Sequence, residues 1–175
     1  MTSFKKDPLL PLAEAIIWFM LGIIAFAGVV VLICAPAVVI FGGEFVNALE
    51  LEDLPMTLRI WIAIMLLAVA GLLYLGWRFF RAMQAIVRSV GYGDPFISEN
   101  ADRLTEMAWL FLALNVLSVP VAALGIYIAR TAGEAPGTMD AGFDLGNLLT
   151  ILILFILARV FRKGTAMRED LEGTV

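Results

Sequence analysis

Few residues in this chain have the types and spacing that chemistry requires. Histidine is absent, which excludes imidazole acid–base work and imidazole metal ligation. Glu50, Glu52 and Asp53 are close enough in sequence to hold a divalent cation weakly through oxygen. A solvated acidic loop explains the same three residues. Cys34 is the single cysteine and lies in an apolar run, so it reads as a small packing residue, with no disulfide framework or thiolate cluster. Gly91-Tyr92-Gly93 is not a phosphate loop, because no strand precedes it.

Asn115, Ser118 and Pro120 gather within another apolar run. Pro120 frees a backbone carbonyl near position 116, and Ser118 can help satisfy the loosened turn. Asn115 can hydrogen-bond a neighbouring helix, worth about 1 kcal/mol. The trio is either a kinked substrate site or a kink with interhelical glue. Pro36 bends its own run in the same way. No Asp, Glu, Lys or Arg falls in the middle of any apolar run, whereas proton-coupled transporters and ion channels usually place one there. The expectation is therefore a protein with no catalytic residues, no cofactor and no metal.

The elements that carry these residues are legible from charge. Hydrophobic residues make up 62% of the 175 and charged residues 16%, against roughly 45–50% and 25% in soluble domains. The mean hydropathy is +0.95. A soluble domain of this size could not hide so much apolar surface, so lipid must cover part of it. Residues 15–43, 60–77, 107–129 and 145–158 are free of charge. A crossing helix needs about 20 residues. The fourth run reaches that length only if Arg159 snorkels to the interface. Long continuous runs favour helices over the ten-residue alternation of barrel strands. The first run is too long for a signal-peptide core, and no small-residue cleavage site follows it.

The expected fold is an all-α integral membrane protein, a four-transmembrane-helix bundle of two hairpins in a single membrane domain. Its spans are about 15–41, 59–78, 107–129 and 145–161. Outer loops fall at 42–58 and 130–144, with a cytoplasmic tail at 162–175. Lys5, Lys6, Arg78, Arg81, Arg88, Arg103, Arg159, Arg162, Lys163 and Arg168 fall on one side, and only Arg59 and Arg130 on the other. That asymmetry places both termini and the middle loop in the cytoplasm. Trp18, Trp77 and Trp109 then sit at the inner interface, and Trp61 and Tyr127 at the outer one.

Residues 79–106 form a cytoplasmic helical hairpin that extends spans two and three. Phe79, Phe80, Met83, Ile86, Val87 and Val90 recur at helical spacing, with Arg81, Gln84 and Arg88 on another face. Gly91 to Pro95 stops that helix. Ser98 or Asn100 suits the N-cap of the next one, and Glu99 and Arg103 are spaced to pair on its surface. Nine acidic residues accompany the ten basic ones on this side, so direct nucleic-acid binding is not expected. Contact with the lipid bilayer is.

Gly93-Asp94-Pro95-Phe96, then Glu99-Asn100-Ala101 and Arg103-Leu104, resemble a bacterial family of small four-span membrane proteins, the domain of unknown function numbered 2975. Phe161, Gly164, Glu169-Asp170 and the closing Thr174-Val175 resemble it too. Gly173 departs from the pattern, where a larger residue is expected. The resemblance covers roughly residues 12 to 175. It implies an inner-membrane protein whose gene often neighbours that of a small helix-turn-helix regulator, and a role in holding or releasing that regulator. Arg81, Arg88, Asp94, Pro95, Phe96, Glu99, Asn100, Arg103, Glu169 and Asp170 would then be the partner-binding residues. Pro95 and Phe96 are equally explained by the turn itself. Two alternatives stay open. One is a small transporter or channel subunit, expected to be a homo-oligomer because four short helices leave little internal path. The other is a structural accessory subunit of a larger membrane complex.

Overall fold

The computed structural model describes residues 9–42, 55–93, 95–133 and 144–172; within the last segment the side chains of residues 169, 171 and 172 stand outside the description. Four long helices carry almost all of it: α1 Leu9–Ile40, α2 Met56–Gly91, α3 Ser98–Thr131 and α4 Leu145–Glu172. No strand occurs among the described residues.

Length and composition explain these helices. They hold 32, 36, 34 and 28 residues. The shortest measures about 42 Å and the longest about 54 Å, against about 30 Å of hydrocarbon. Each contains a stretch long and apolar enough to cross a membrane. Within those stretches only 6% to 11% of residues are buried by protein. Phe26, Ile33, Leu67 and Ile153 are among the many large apolar side chains left exposed. Water would penalise such a surface heavily and lipid would not. The chain is an all-helical, multi-pass membrane protein.

The helix ends follow local rules. α2 runs unbroken from the apolar stretch through Arg78 and Arg88 to Gly91. Tyr92 N–H then donates to the Arg88 carbonyl at 3.1 Å, and Gly93 N–H to the Val90 carbonyl at 3.0 Å. Gly93 has φ +88°, a left-handed conformation that side chains resist. α3 ends in the same way, with Gly133 at φ +78° two residues beyond Thr131. Asp144 starts α4: its Oδ1 accepts from Gly146 N–H at 3.0 Å, as an N-cap carboxylate should.

The chain divides into two compact units. The first gathers Met1–Ile23, Gly76–Ala113 and Phe143–Val175. Its core is built from Ile17, Leu21, Ala82, Ala101, Leu104, Met107, Ala108, Leu110, Ile151 and Ala158, with the polar Gln84, Asn100 and Thr165 buried among them. The second gathers Ile24–Leu75 and Leu114–Gly142. Its buried apolar residues are Ala35, Leu58 and Ala63. There Trp61 and Tyr127 meet edge to face at 5.9 Å, a favoured aromatic geometry.

Candidate functional site

The first unit contains the connector between α2 and α3, where most of the sequence-derived candidates lie. Its organising residue is Asn100, which is 0% exposed. The Nδ2 group donates to Ser89 Oγ at 2.6 Å and to the Pro95 carbonyl at 2.9 Å. The Oδ1 atom accepts from an Arg103 guanidinium nitrogen at 2.8 Å. Ser89 Oγ in turn donates to the Ile86 carbonyl at 2.7 Å. One side chain thus ties the last turns of α2, the connector and the first turn of α3 together. Every polar group of the amide is used, which makes its burial tolerable.

This network corrects two expectations. Asn100 does not cap α3, and Ser98 is that helix's first residue. Ser98 Oγ donates to Glu99 Oε2 at 3.3 Å. Arg103 turns inward to Asn100 and does not pair with Glu99. A buried amide oxygen loses more by going unsatisfied than a solvated carboxylate does.

Phe96 leaves the connector and lies against α4. Its ring sits 5.2 Å from that of Phe161, tilted by 31°. Gly164 provides the space. A methyl group there would come within 3.1 Å of Phe96 Cδ1, tighter than ordinary van der Waals contact. The sequence pointed to Phe96, Phe161 and Gly164 separately; the fold brings them into one contact. Phe96 remains 44% exposed and Tyr92 is 90% exposed.

Among the described residues, ion pairs join each helix of this unit to the next. Arg88 Nε meets Glu14 Oε1 at 3.1 Å, linking α2 to α1. Arg78 pairs with Glu106, linking α2 to α3. Arg162 meets Asp102 Oδ1 at 3.2 Å, linking α4 to α3. Arg88 also lies 5.9 Å from the Trp18 ring centroid, and Arg81 lies 5.2 Å from that of Trp77, within the range of cation–π attraction. Arg81, Arg88 and Arg103 line one cavity of about 330 Å³ together with Gln84, Ser89, Tyr92 and Ile97. Glu99 and Asp170 are exposed. Asp94 and the Glu169 side chain lie outside the described residues.

The second unit holds the intramembrane candidates. Pro36 and Pro120 sit inside α1 and α3. Ser118 Oγ donates to the Asn115 carbonyl at 2.8 Å, one residue before the carbonyl at 116 that the proline ring leaves without its N–H. Pro120 lines a cavity of about 510 Å³ with Ala68, Gly71, Leu75, Val121 and Leu124. Asn115 and Ser118 are not part of that lining. Among the described residues no three acidic or cysteine side chains converge as a metal site would require. Glu50, Glu52 and Asp53 lie outside the described residues.

Two features escaped the sequence reading. Gln84 is 3% exposed, and its Nε2 has no hydrogen-bond partner among the described residues. The sequence reading sets Gln84 on the polar face with Arg81 and Arg88; the structure exposes both arginines and buries the glutamine. Asp144 is the other: it closes the expected outer loop 130–144, and an aspartate immediately before an apolar helix is a start signal.

Comparison with known proteins agrees with the motifs. A family model, described as a protein of unknown function (DUF2975), matches residues 44–175. Searches of curated proteins and of solved structures return no match. The matched segment contains α2, α3 and α4, the Asn100 network and the Phe96–Gly164 contact, and leaves α1 outside. The chain belongs to the DUF2975 family.

Proposed function

We propose that this chain is a non-enzymatic regulatory protein of the bacterial inner membrane, with both termini in the cytoplasm, that docks a cytosolic helix-turn-helix regulator on its connector surface. The ten-to-two division of basic residues supports the orientation. One observation carries the docking reading. The Asn100 network fixes the connector backbone while Tyr92, Phe96, Arg81 and Arg88 remain exposed on and beside it. Aromatic and arginine side chains on a rigid support are what interface hot spots are made of. Order established beforehand lowers the entropy lost on association.

The test is co-purification from native membranes of the tagged chain with a cytosolic helix-turn-helix regulator. The regulator is expected to be retained by the parent chain and lost in the double variant Asp94→Ala, Phe96→Ala, with a matching change in transcripts. Absence of the regulator, with transcripts unchanged in the variant, refutes the reading.

A further inference from the structure

We propose that the cavity at the end of α2 is a binding site for a phosphate-type oxyanion, presented either by a phospholipid headgroup or by a soluble phosphate. This goes beyond the docking of a regulator and does not rest on it.

Three observations converge. First, Arg81, Arg88 and Arg103 line the cavity, and among the described residues no carboxylate does. Guanidinium groups are planar forks of donors that match phosphate oxygens. Second, those arginines keep donors to spare. Arg88 gives Nε to Glu14, which leaves its two terminal nitrogens. Arg103 gives one terminal nitrogen to Asn100. Arg81 lies over Trp77 and takes part in no ion pair among the described residues.

Third, Gln84 lines the same cavity, is almost fully buried, and has an Nε2 donor without an acceptor. The other buried polar side chains of this unit are satisfied: Asn100 by the partners named above, and Thr165 Oγ1 by the Phe161 carbonyl at 3.0 Å. A buried amide N–H without an acceptor calls for an explanation. The Nε2 atom is itself closed off from solvent, so it meets an oxyanion in the cavity only after the amide turns by 180°, which exchanges its nitrogen and oxygen. The negative end of α2 lies nearby and opposes an anion, and Arg88 in its last turn offsets that field.

The size fits a small anionic group, at about 330 Å³. The position suits a headgroup as well. Arg78 closes the uncharged run 60–77, and Arg81 follows it by three residues, about 4.5 Å along the helix.

The experiment uses the full chain purified in a non-ionic detergent, so no regulator is present. Thermal unfolding is followed while phosphatidylglycerol, a neutral diacyl glycolipid without phosphate, or inorganic pyrophosphate is added, with sodium chloride at matched ionic strength as the control. A ligand that binds only the folded chain raises its midpoint. Saturable stabilisation by phosphatidylglycerol but not by the phosphate-free glycolipid identifies a headgroup site, and equal stabilisation by the two lipids without any by pyrophosphate overturns the proposal. Saturable stabilisation by pyrophosphate identifies a soluble anion. In either case Arg81→Gln and Gln84→Leu should each raise the half-saturating concentration about tenfold, the expected loss of one charge-assisted or buried bond. Arg81 is exposed, so its variant keeps the test alive should Gln84→Leu fail to fold. Stabilisation no greater than that by chloride, or stabilisation undiminished in the variants, overturns the proposal.

Discussion

The two compact units of this chain are held together by different means. In the first, Asn100, Gln84 and Thr165 are buried, ion pairs join helix to helix, and small residues (Ala82, Ala101, Ala108, Ala158, Gly164) line the contacts. In the second, the residues buried among those described are Ala35, Gly42, Leu58, Ala63 and Gly125, and Ser118 bonds back to its own helix. Lipid tails are as apolar as leucine, so burying leucine against leucine gains little inside a membrane. What singles out one helix arrangement there is close packing of small residues and hydrogen bonds across helices. Small residues are buried in both units, while the buried side-chain hydrogen bonds of Asn100 and Thr165 lie in the first, where the connector residues are.

The sharpest way to break that comparison is Asn100→Leu. It strands the Pro95 carbonyl, Ser89 Oγ and the Arg103 head at a buried position, and each loss costs about 1–3 kcal/mol when uncompensated. Partial rehydration at the connector would lower the sum, so a total of about 2–4 kcal/mol is expected. The paired control is Ser118→Ala in the second unit, expected within about 0.5 kcal/mol because a backbone carbonyl of its own helix is the partner. Thermal unfolding in one detergent compares the two. Equal losses would mean that polar bonds do not distinguish the units.

Gly164→Leu should follow, at about 1–3 kcal/mol, because a side chain there meets the Phe96 ring and overpacks the contact. Combining it with Phe96→Ala should recover part of the loss, since the second change removes the obstacle. A strictly additive pair would show that the steric conflict lies elsewhere. Gly164→Ala is a milder probe. Better helix propensity gains up to about 1 kcal/mol, which the tighter ring contact opposes.

The sequence made some of this legible and hid the rest for physical reasons. The four helices were visible because lipid imposes a one-dimensional rule, an uncharged run of sufficient length. The end of α2 was visible because Gly91, Gly93 and Pro95 act locally. Asn100 was visible only as a capping candidate, since capping is the local role of asparagine. Its actual partners, Ser89 and Pro95, depend on how the connector folds back. The pairs Arg78–Glu106 and Arg162–Asp102 span 28 and 60 residues, beyond any spacing rule. Glu99 and Arg103 obeyed the spacing rule and still did not pair, because a buried competitor claimed the arginine.

A smaller effect is expected at the turn. Gly93→Ala forces a Cβ into the left-handed region and should cost about 1–2 kcal/mol, with Gly93→Asn costing less. The smallest effect is expected at the helix-to-helix ion pairs. Arg78 and Glu106 keep 48% and 39% of their side chains exposed, and exposed pairs typically contribute about 0.2–1 kcal/mol. A double-mutant cycle on Arg78→Ala and Glu106→Ala should return a coupling in that range, and raising salt from about 0.1 M to 1 M should shrink it as screening shortens to about 3 Å. A coupling that resists salt would mean lipid headgroups desolvate the pair, and the first unit would then owe part of its order to charge as well as to the Asn100 amide.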